Sequence, residues 1–173
     1  ILKRALGSDY QKILAAEKTI PGRLKKIVDT IEDISGLEHF GAYLTLLFEV
    51  DALIANEDRH LNNIAILEEN GKYHYCPLFD NGEGLMLDNV KYPFDVETRG
   101  LMKHLRAKPF QCRFGTILSA ARDLYGAQLK IACSAAEISE IAEKYLDWYQ
   151  PMFRPFLKDR IVDVVLLQMK KYF

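Results

Sequence analysis

"LEHFGAYLTLLFEVDALIA", residues 37–55, is the longest apolar stretch of this 173-residue chain. Its apolar residues fall on nearly every face of a helix with 3.6 residues per turn, so neither side is left for solvent. Such a pattern is typical of a helix that is buried all round. We therefore predict a central helix over 37–55, with the other elements packed around it.

Helices are also predicted on both sides of this segment. Upstream, a helix over 8–19 is capped by Ser8 or Asp9 and stopped by an Ile-Pro-Gly sequence, and a second helix covers 22–34. Downstream, residues 88–112 carry two prolines and mixed polarity, so we expect a loop with short helical pieces. Three more helices are predicted towards the C-terminus, at 114–125, 135–149 and 152–171.

One β-hairpin is predicted between these helices. Residues 64–67 (IAIL) and 72–76 (KYHYC) are short runs typical of strands. Between them, Asn70 and Gly71 readily adopt the positive φ angles that a two-residue hairpin turn requires. The fold class expected from the sequence is mainly α with one small β-hairpin, in a single domain over residues 1–173.

The composition excludes several classes of protein. The chain is 49% hydrophobic and 27% charged, as in ordinary globular proteins, and its net charge of −1 gives no overall basic field for nucleic acid or an anionic membrane. No apolar run is long enough to span a bilayer. Cys76, Cys112 and Cys133 are too few and too widely spaced for a disulfide framework or a zinc site. We therefore expect reduced thiols and a cytoplasmic protein.

Polar residues follow the central helix directly, in "ANEDRHLNNIAIL", residues 55–67. Asn63 precedes the first predicted strand and Asp80 lies shortly after the second, so the paired hairpin makes them neighbours in space. Asp58 and His60 lie on the loop that leads to Asn63. The hairpin therefore predicts a cluster of four polar side chains near the C-terminal end of the central helix.

Phosphoryl transfer is a reaction that uses this set of side chains. It needs Mg²⁺ on the phosphates of ATP, held by oxygen ligands, and a carboxylate that orients the attacking hydroxyl and accepts its proton. Asp80 and Asn63 are the expected ligands of the metal and its nucleotide, and Asp58 is the expected catalytic base. His60, the second catalytic candidate, has three open roles: it orients Asp58, contacts phosphate, or is structural. The alternative is that these residues only form caps and turns.

The same residues resemble the C-terminal lobe of the HipA-like serine/threonine kinases. Members of that family carry Asn-x-Asp-x-His-x-x-Asn, then a hairpin, then a proline followed by an aromatic residue and Asp. The resemblance implies a protein-kinase-like fold, ATP and Mg²⁺ as cofactors, a protein Ser/Thr hydroxyl as acceptor and an antitoxin-type partner. It also implies that Asp58 is catalytic and that Asn63 and Asp80 bind Mg²⁺. The matching residues are Asn56, Asp58, His60, Asn63, Pro77, Phe79 and Asp80.

The Asp-Arg-His-x-x-Asn string is also similar to the catalytic loop of phosphatidylinositol 3/4-kinases. An aromatic residue follows the metal-binding Asp there, whereas Asn81 follows Asp80 here. This departure and the small size of the chain favour the HipA-like interpretation. The alternatives are a phosphoinositide-type or small-molecule kinase, and a catalytically silent module that binds a partner.

The ATP-covering lobe of a kinase is not recognisable in this sequence. Upstream of Asn56 there is no glycine-rich phosphate loop and no strand with a phosphate-binding lysine. The chain also begins with Ile-Leu-Lys rather than with Met. We therefore expect an excised C-terminal lobe, inactive by itself for lack of the N-terminal lobe.

Three further segments are weaker candidates. Glu83 and Asp88 follow the predicted metal ligand and either add acidic ligands or simply belong to a polar surface loop. Residues 81–98 occupy the position of a kinase activation segment. The aromatic residues of 145–156 are expected to pack in the core and at a helix corner at Pro151, rather than to form a ligand cage.

Overall fold

The structure, a computed structural model, describes Leu2 and residues 6–173. This part of the chain contains seven α-helices and one two-stranded antiparallel sheet, which confirms the expected mainly α class with a single small hairpin. In chain order the elements are α1 (Tyr10–Ala16), α2 (Ile20–Ser35), α3 (Phe40–Leu53), β1 (Ile66–Glu69), β2 (Lys72–Tyr75), α4 (Thr98–Leu101), α5 (Phe114–Tyr125), α6 (Ala135–Tyr145) and α7 (Arg154–Tyr172).

Helix α3 is the predicted central helix, and ten of its 14 residues are buried. Helices α2, α5 and α7 pack against it. It begins at Phe40 rather than Leu37, because His39 has a left-handed backbone (φ 62°). The N–H of Phe40 instead donates to the Glu32 carboxylate of α2 at 2.7 Å. The buried helix therefore fixes the position at which the chain emerges after Leu53.

The predicted stop signal between the first two helices is wrong, because the Ile-Pro-Gly sequence opens α2. The Thr19 side chain accepts a hydrogen bond from the N–H of Gly22 at 3.1 Å, which caps the first turn. Pro21 is favoured in that turn, where no backbone N–H is needed. Helix α1 is accordingly shorter than the predicted 8–19, with Asp9 at its N-cap position.

The hairpin is confirmed together with its turn. Asn70 and Gly71 have φ angles of 51° and 75°, and Glu69 pairs with Lys72 across the two-residue loop. Strand β1 begins at Ile66, two residues later than predicted, and continues through Glu69 because the tight turn allows pairing up to that residue. Both chain ends of the hairpin leave it at the same side, next to the end of α3.

Residues 88–112 form the expected loop with short helical pieces, namely α4 and 3₁₀ turns at Met102–His104 and Lys108–Phe110. The three cysteines are unpaired, as predicted. Among the described residues no helix is both long enough and apolar enough to cross a lipid bilayer.

Helices α6 and α7 share a second, smaller apolar cluster, formed by Ile138, Ala142, Leu146, Leu157 and Ile161. Helix α6 ends at Tyr145, four residues earlier than predicted. Two 3₁₀ turns, Leu146–Trp148 and Pro151–Phe153, then lead into α7.

The prediction that the aromatic residues of 145–156 pack in the core is wrong for most of them. Trp148 is 91% exposed and Tyr145 69% exposed, and Phe156 is also exposed. The aliphatic residues of α6 and α7 face each other and fill the space between the helices, so these rings remain on the outside. Phe153 packs against the cluster, with its ring centroid 5.7 Å from that of Phe94, and the exposed Phe156 stacks on the same Phe94 ring at 5.6 Å.

Candidate functional site

The candidate site lies where the chain leaves α3, in residues 56–63, which we name the post-helix loop. Ala55 has a φ angle of 56°, which turns the chain away from the helix. Asn56 is fully buried and is tied back to Asp51 twice, by its N–H and by its Nδ2, each at 2.8 Å. Its Oδ1 accepts the N–H of Asp58 at 3.2 Å. Asn56 therefore fixes the backbone of Asp58 relative to the helix.

The structure brings the four residues predicted from the sequence together. Ligand atoms of Asp58, His60 and Asp80 all lie within 4.8 Å of one another. Asn63 is 5% exposed, and its Nδ2 donates a hydrogen bond to Oδ2 of Asp80. This bond joins the two chain ends of the hairpin, 17 residues apart in sequence. Two carboxylates, an imidazole and an amide thus form one cluster.

Asp80 belongs to residues 76–83, which we name the post-hairpin loop. Its φ angle of 56° is in the left-handed region, which non-glycine residues adopt infrequently, although Asp tolerates it. Such conformations cost on the order of 1 kcal/mol and are found preferentially at functional sites, where surrounding contacts hold them in place. Here the surrounding contacts come from a buried arginine.

Arg59 joins the post-helix loop to the post-hairpin loop. Its side chain is 1% exposed and forms a two-pronged ion pair with Asp51, at 2.9 Å from Nε and 3.0 Å from Nη2. Nη1 donates to the carbonyl oxygen of Phe79 at 2.6 Å, and Nη2 also donates to Oδ1 of Asn81. Arg59 therefore holds the residues on both sides of Asp80.

Asp51, the partner of Arg59, is a charged residue inside the apolar helix α3. Burial raises the pKa of Asp51, against the opposing effect of the hydrogen bonds from Arg59 and Asn56. Neither Asp51 nor Arg59 was predicted from the sequence as a site residue. The available signal was a carboxylate within an otherwise apolar helix, because such a group requires a buried partner.

Glu57 connects the post-helix loop to two later segments. Its Oε1 accepts the N–H of Arg106 at 2.8 Å. Its Oε2 accepts the hydroxyl of Tyr92 at 2.5 Å and lies 3.0 Å from Nζ of Lys91. Burial by itself would raise the pKa of Glu57, but these hydrogen bonds and the Lys91 charge outweigh it, so the pKa is lowered. Burial and the contact with Glu57 raise the pKa of Tyr92 to about 12.

Lys108 contacts the predicted catalytic base directly, since its Nζ forms an ion pair with Oδ1 of Asp58. A cavity of about 360 Å³ opens beside this pair. Of the two weaker acidic candidates, Glu83 lines that cavity, whereas Asp88 uses its carboxylate to accept the N–H of Val90 at 2.9 Å in a turn. The cavity is lined by Glu57, Asp58, Glu83, Lys91, Arg106, Lys108 and Gln111.

His60 is half-buried, and its Nδ1 is enclosed without a hydrogen-bond partner in the described part of the chain. Native proteins leave few buried polar atoms unpaired, and such atoms mark positions where a function or a bound group is expected. No hydrogen bond joins His60 to Asp58 among the described residues. A role of His60 in orienting the Asp58 carboxylate is therefore not supported by a direct hydrogen bond. His60 also lines a second cavity, of about 370 Å³, together with Lys108.

Upstream of Asn56 the described residues form three helices and no strand. They therefore contain no strand layer of the kind that covers ATP in kinases. Comparison of the chain with known protein families, with curated proteins and with solved structures finds no match. The function is consequently inferred from the geometry of the site.

Proposed function

We propose that this chain is the C-terminal, catalytic-loop-bearing lobe of an ATP-dependent protein serine/threonine kinase, similar in its motif to the HipA-like kinases. The observation that carries the proposal is the cluster of Asp58, His60 and Asp80 within 4.8 Å, with Asn63 bonded to Asp80. Phosphoryl transfer requires little else of a protein than a positioned base, metal ligands and charge stabilisation.

The donor atoms at this cluster fit Mg²⁺. Asp80 provides a carboxylate, and Asn63 donates from its nitrogen to Asp80, which leaves its carbonyl oxygen as a ligand. These two residues would hold the ion, which when bound supplies positive charge to the phosphates of ATP. Arg59 keeps the two loops that carry them together.

Asp58 has the position that a catalytic base needs. It is half-buried, its backbone is fixed by Asn56, and its carboxylate lines the 360 Å³ cavity that an acceptor would enter. In the proposed reaction Asp58 accepts the proton of the acceptor hydroxyl as the oxygen of that hydroxyl attacks the γ-phosphorus. His60 lies beside the same carboxylate and lines the neighbouring 370 Å³ cavity, through which its ring would face a phosphate.

A phosphoinositide-type kinase would need a predominantly basic acceptor pocket. The cavity beside Asp58 instead has three cationic residues (Lys91, Arg106 and Lys108) and three acidic ones (Glu57, Asp58 and Glu83). Charge therefore supports a protein acceptor over an anionic lipid. A catalytically silent partner-binding module differs from both kinds of kinase in transferring no phosphate from ATP.

The proposal includes three further elements. ATP would be covered by a second body, a kinase N-terminal lobe, because the described residues upstream of Asn56 provide only helices. An antitoxin-type protein is the proposed regulatory partner, and the cytoplasm is the proposed location, both by resemblance to the HipA-like kinases. Without the second body the chain is expected to be inactive.

The first test is transfer of ³²P from γ-labelled ATP, with Mg²⁺, by the full gene product to itself or to an added protein acceptor. Asp58→Asn is expected to lower transfer by about a thousandfold or more, because the base is lost. Asp80→Asn is expected to weaken binding of Mg²⁺-ADP in calorimetry. Asp88→Asn, a turn residue outside the cavity, is the control and is expected to keep wild-type activity.

Equal transfer by the wild type and both site variants would refute the assignment of the residues. No transfer by the folded wild type would refute the kinase proposal and favour the silent binding module. Phosphoserine or phosphothreonine in the labelled product identifies the acceptor class.

A further inference from the structure

We propose that Lys108 is a second catalytic residue of this site, which contacts the transferred phosphoryl group while Asp58 takes the proton of the acceptor. The inference rests on the proposed phosphotransferase function and extends it. Lys108 lies 50 residues after Asp58 and outside the motif that resembles known kinases.

The position of Lys108 is the first argument. Its Nζ contacts Oδ1 of Asp58, and the two side chains are 42% and 35% exposed, so an incoming substrate can reach both. Lys108 and Gln111 line both the 360 Å³ cavity that contains Asp58 and the 370 Å³ cavity that contains His60. Lys108 therefore lines the cavities of both predicted catalytic side chains.

The turn that carries Lys108 is held in place, unlike the backbone of a free surface loop. Ala107 and Cys112 form an antiparallel bridge across it, with the Ala107 N–H donating to the Cys112 carbonyl at 2.7 Å. One residue earlier, the N–H of Arg106 donates to the carboxylate of Glu57. Glu57 is the direct neighbour of Asp58, so one residue positions both partners of the ion pair.

A purely structural surface ion pair is the competing explanation. Exposed pairs contribute about 0–1 kcal/mol to stability, so loss of such a pair is expected to change neither the stability nor the reaction rate by much. A cation aimed at charge that develops in the transition state has a much larger effect, typically about a hundredfold to a thousandfold on kcat. The two explanations therefore differ in the measured rate.

The proposed step accounts for every bond and proton. The acceptor oxygen forms a bond to the γ-phosphorus, and the bond from that phosphorus to the oxygen bridging to the β-phosphate breaks. ADP leaves with the bonding electron pair, and the hydroxyl proton passes to the Asp58 carboxylate. Asp58 becomes neutral in doing so. The Lys108 ammonium keeps its protons, is released from Asp58 and donates hydrogen bonds to the phosphoryl oxygens.

The test compares Lys108→Met and Lys108→Arg with the matched control Lys103→Met in the full gene product. Lys103 is an exposed lysine of the same segment that lines neither cavity. Lys108→Met is expected to lower kcat by about a hundredfold, with KM for Mg²⁺-ATP and Tm nearly unchanged. Lys108→Arg is expected to stay within about tenfold of wild type because it keeps the charge, and Lys103→Met to match the wild type.

Three results would overturn the proposal. If Lys108→Met retains activity while Asp58→Asn is inactive, the kinase function stands and Lys108 has no catalytic role. If Lys108→Met changes only KM or lowers Tm, its role is in ground-state binding or folding. If the wild type transfers no phosphate at all, both the kinase function and the role of Lys108 are refuted.

Discussion

At the scale of single residues, the candidate site depends on charged side chains that are buried or half-buried beside one another. Arg59 lies within the Asp-Arg-His string, yet its guanidinium turns inward to Asp51 while Asp58 and His60 remain accessible. The sequence pattern identifies the string but does not distinguish the charge that is buried in an ion pair from the charge that stays accessible. Burial makes that distinction, because a buried charge must be paired.

The contacts of Glu57 lead to a prediction about how the stability of the protein depends on pH. Its pKa in the folded protein is lowered, so its ionised contacts stabilise the fold above the unfolded-state pKa of about 4.3 and are lost as pH falls from there to the folded pKa. Glu57→Gln is expected to lower Tm at neutral pH, and the difference from wild type is expected to shrink as pH falls below about 4. Thermal melts at stepwise pH measure this difference.

The exposed strand-end residue Glu69 provides the control for loss of a carboxylate. Glu69→Gln is expected to melt close to the wild type at neutral pH, where Glu57→Gln does not. A Glu57→Gln difference that stays constant between neutral and acidic pH would contradict the proposed role of the ionised group.

At the scale of elements, close packing of α3 against α5 places the end of α3 and hence the site. Gly41 in the first turn of α3 has no side chain, and the ring of Tyr125 from α5 occupies the space where a Cβ would be. Thr45 strengthens the same contact, since its hydroxyl donates to the Gly41 carbonyl at 2.9 Å and lies 3.4 Å from the Ala121 carbonyl. The helices are therefore closer than a larger residue would permit.

Gly41→Ala is expected to destabilise the protein by about 1–3 kcal/mol, because the new methyl group overlaps the Tyr125 ring and the helices must separate. Urea unfolding followed by circular dichroism measures the change. The control is Gly100→Ala in α4, where a Cβ meets nothing within 4 Å and alanine favours the helix by up to about 1 kcal/mol. Equal effects of the two substitutions would show that the helix contact is not as tight as described.

At the scale of the whole molecule, Glu49 connects parts of the chain that are distant in sequence. It is fully buried in α3 and accepts hydrogen bonds from Nε of Arg122 at 2.7 Å and from the N–H groups of Gln128 and Leu129 at 3.0 and 2.6 Å. Arg122 in turn donates to the carbonyl oxygen of Tyr172 at 2.8 Å, near the end of α7. One carboxylate thus ties together α3, α5, the following loop and the C-terminal helix.

Glu49→Ala is expected to cost about 2–4 kcal/mol, because it leaves the partly buried Arg122 and two N–H groups without their acceptor. The change is measured as a lower urea midpoint with an unaltered m-value. Glu140→Ala, which removes an exposed i,i+4 pair with Lys144, is the control and is expected to change stability by less than about 0.5 kcal/mol. A Glu49→Ala effect as small as that of the control would contradict the connecting role.

Local patterns in the sequence were sufficient to predict several features of the structure. The apolar run predicted α3, the Asn-Gly pair predicted the hairpin turn, and the spacing around the hairpin predicted that Asn63 and Asp80 are neighbours. Each of these depends on residues close in sequence or on one turn of known geometry. The start of α2 was predicted wrongly because Pro and Gly can either end one helix or lie in the first turn of the next. Here Thr19 caps the N-terminus of α2, so the Ile-Pro-Gly sequence belongs to that helix.

The helical class, the hairpin and the four members of the polar cluster could thus be predicted from the sequence, because periodicity and turn chemistry act over a few residues. The further side chains around the candidate site become visible only once the chain is folded: Lys108 beside Asp58, and Lys91, Tyr92 and Arg106 around Glu57. These partners are 34 to 50 residues apart in sequence. The packing of the helices, which brings such distant segments together, is a collective property that no short pattern encodes.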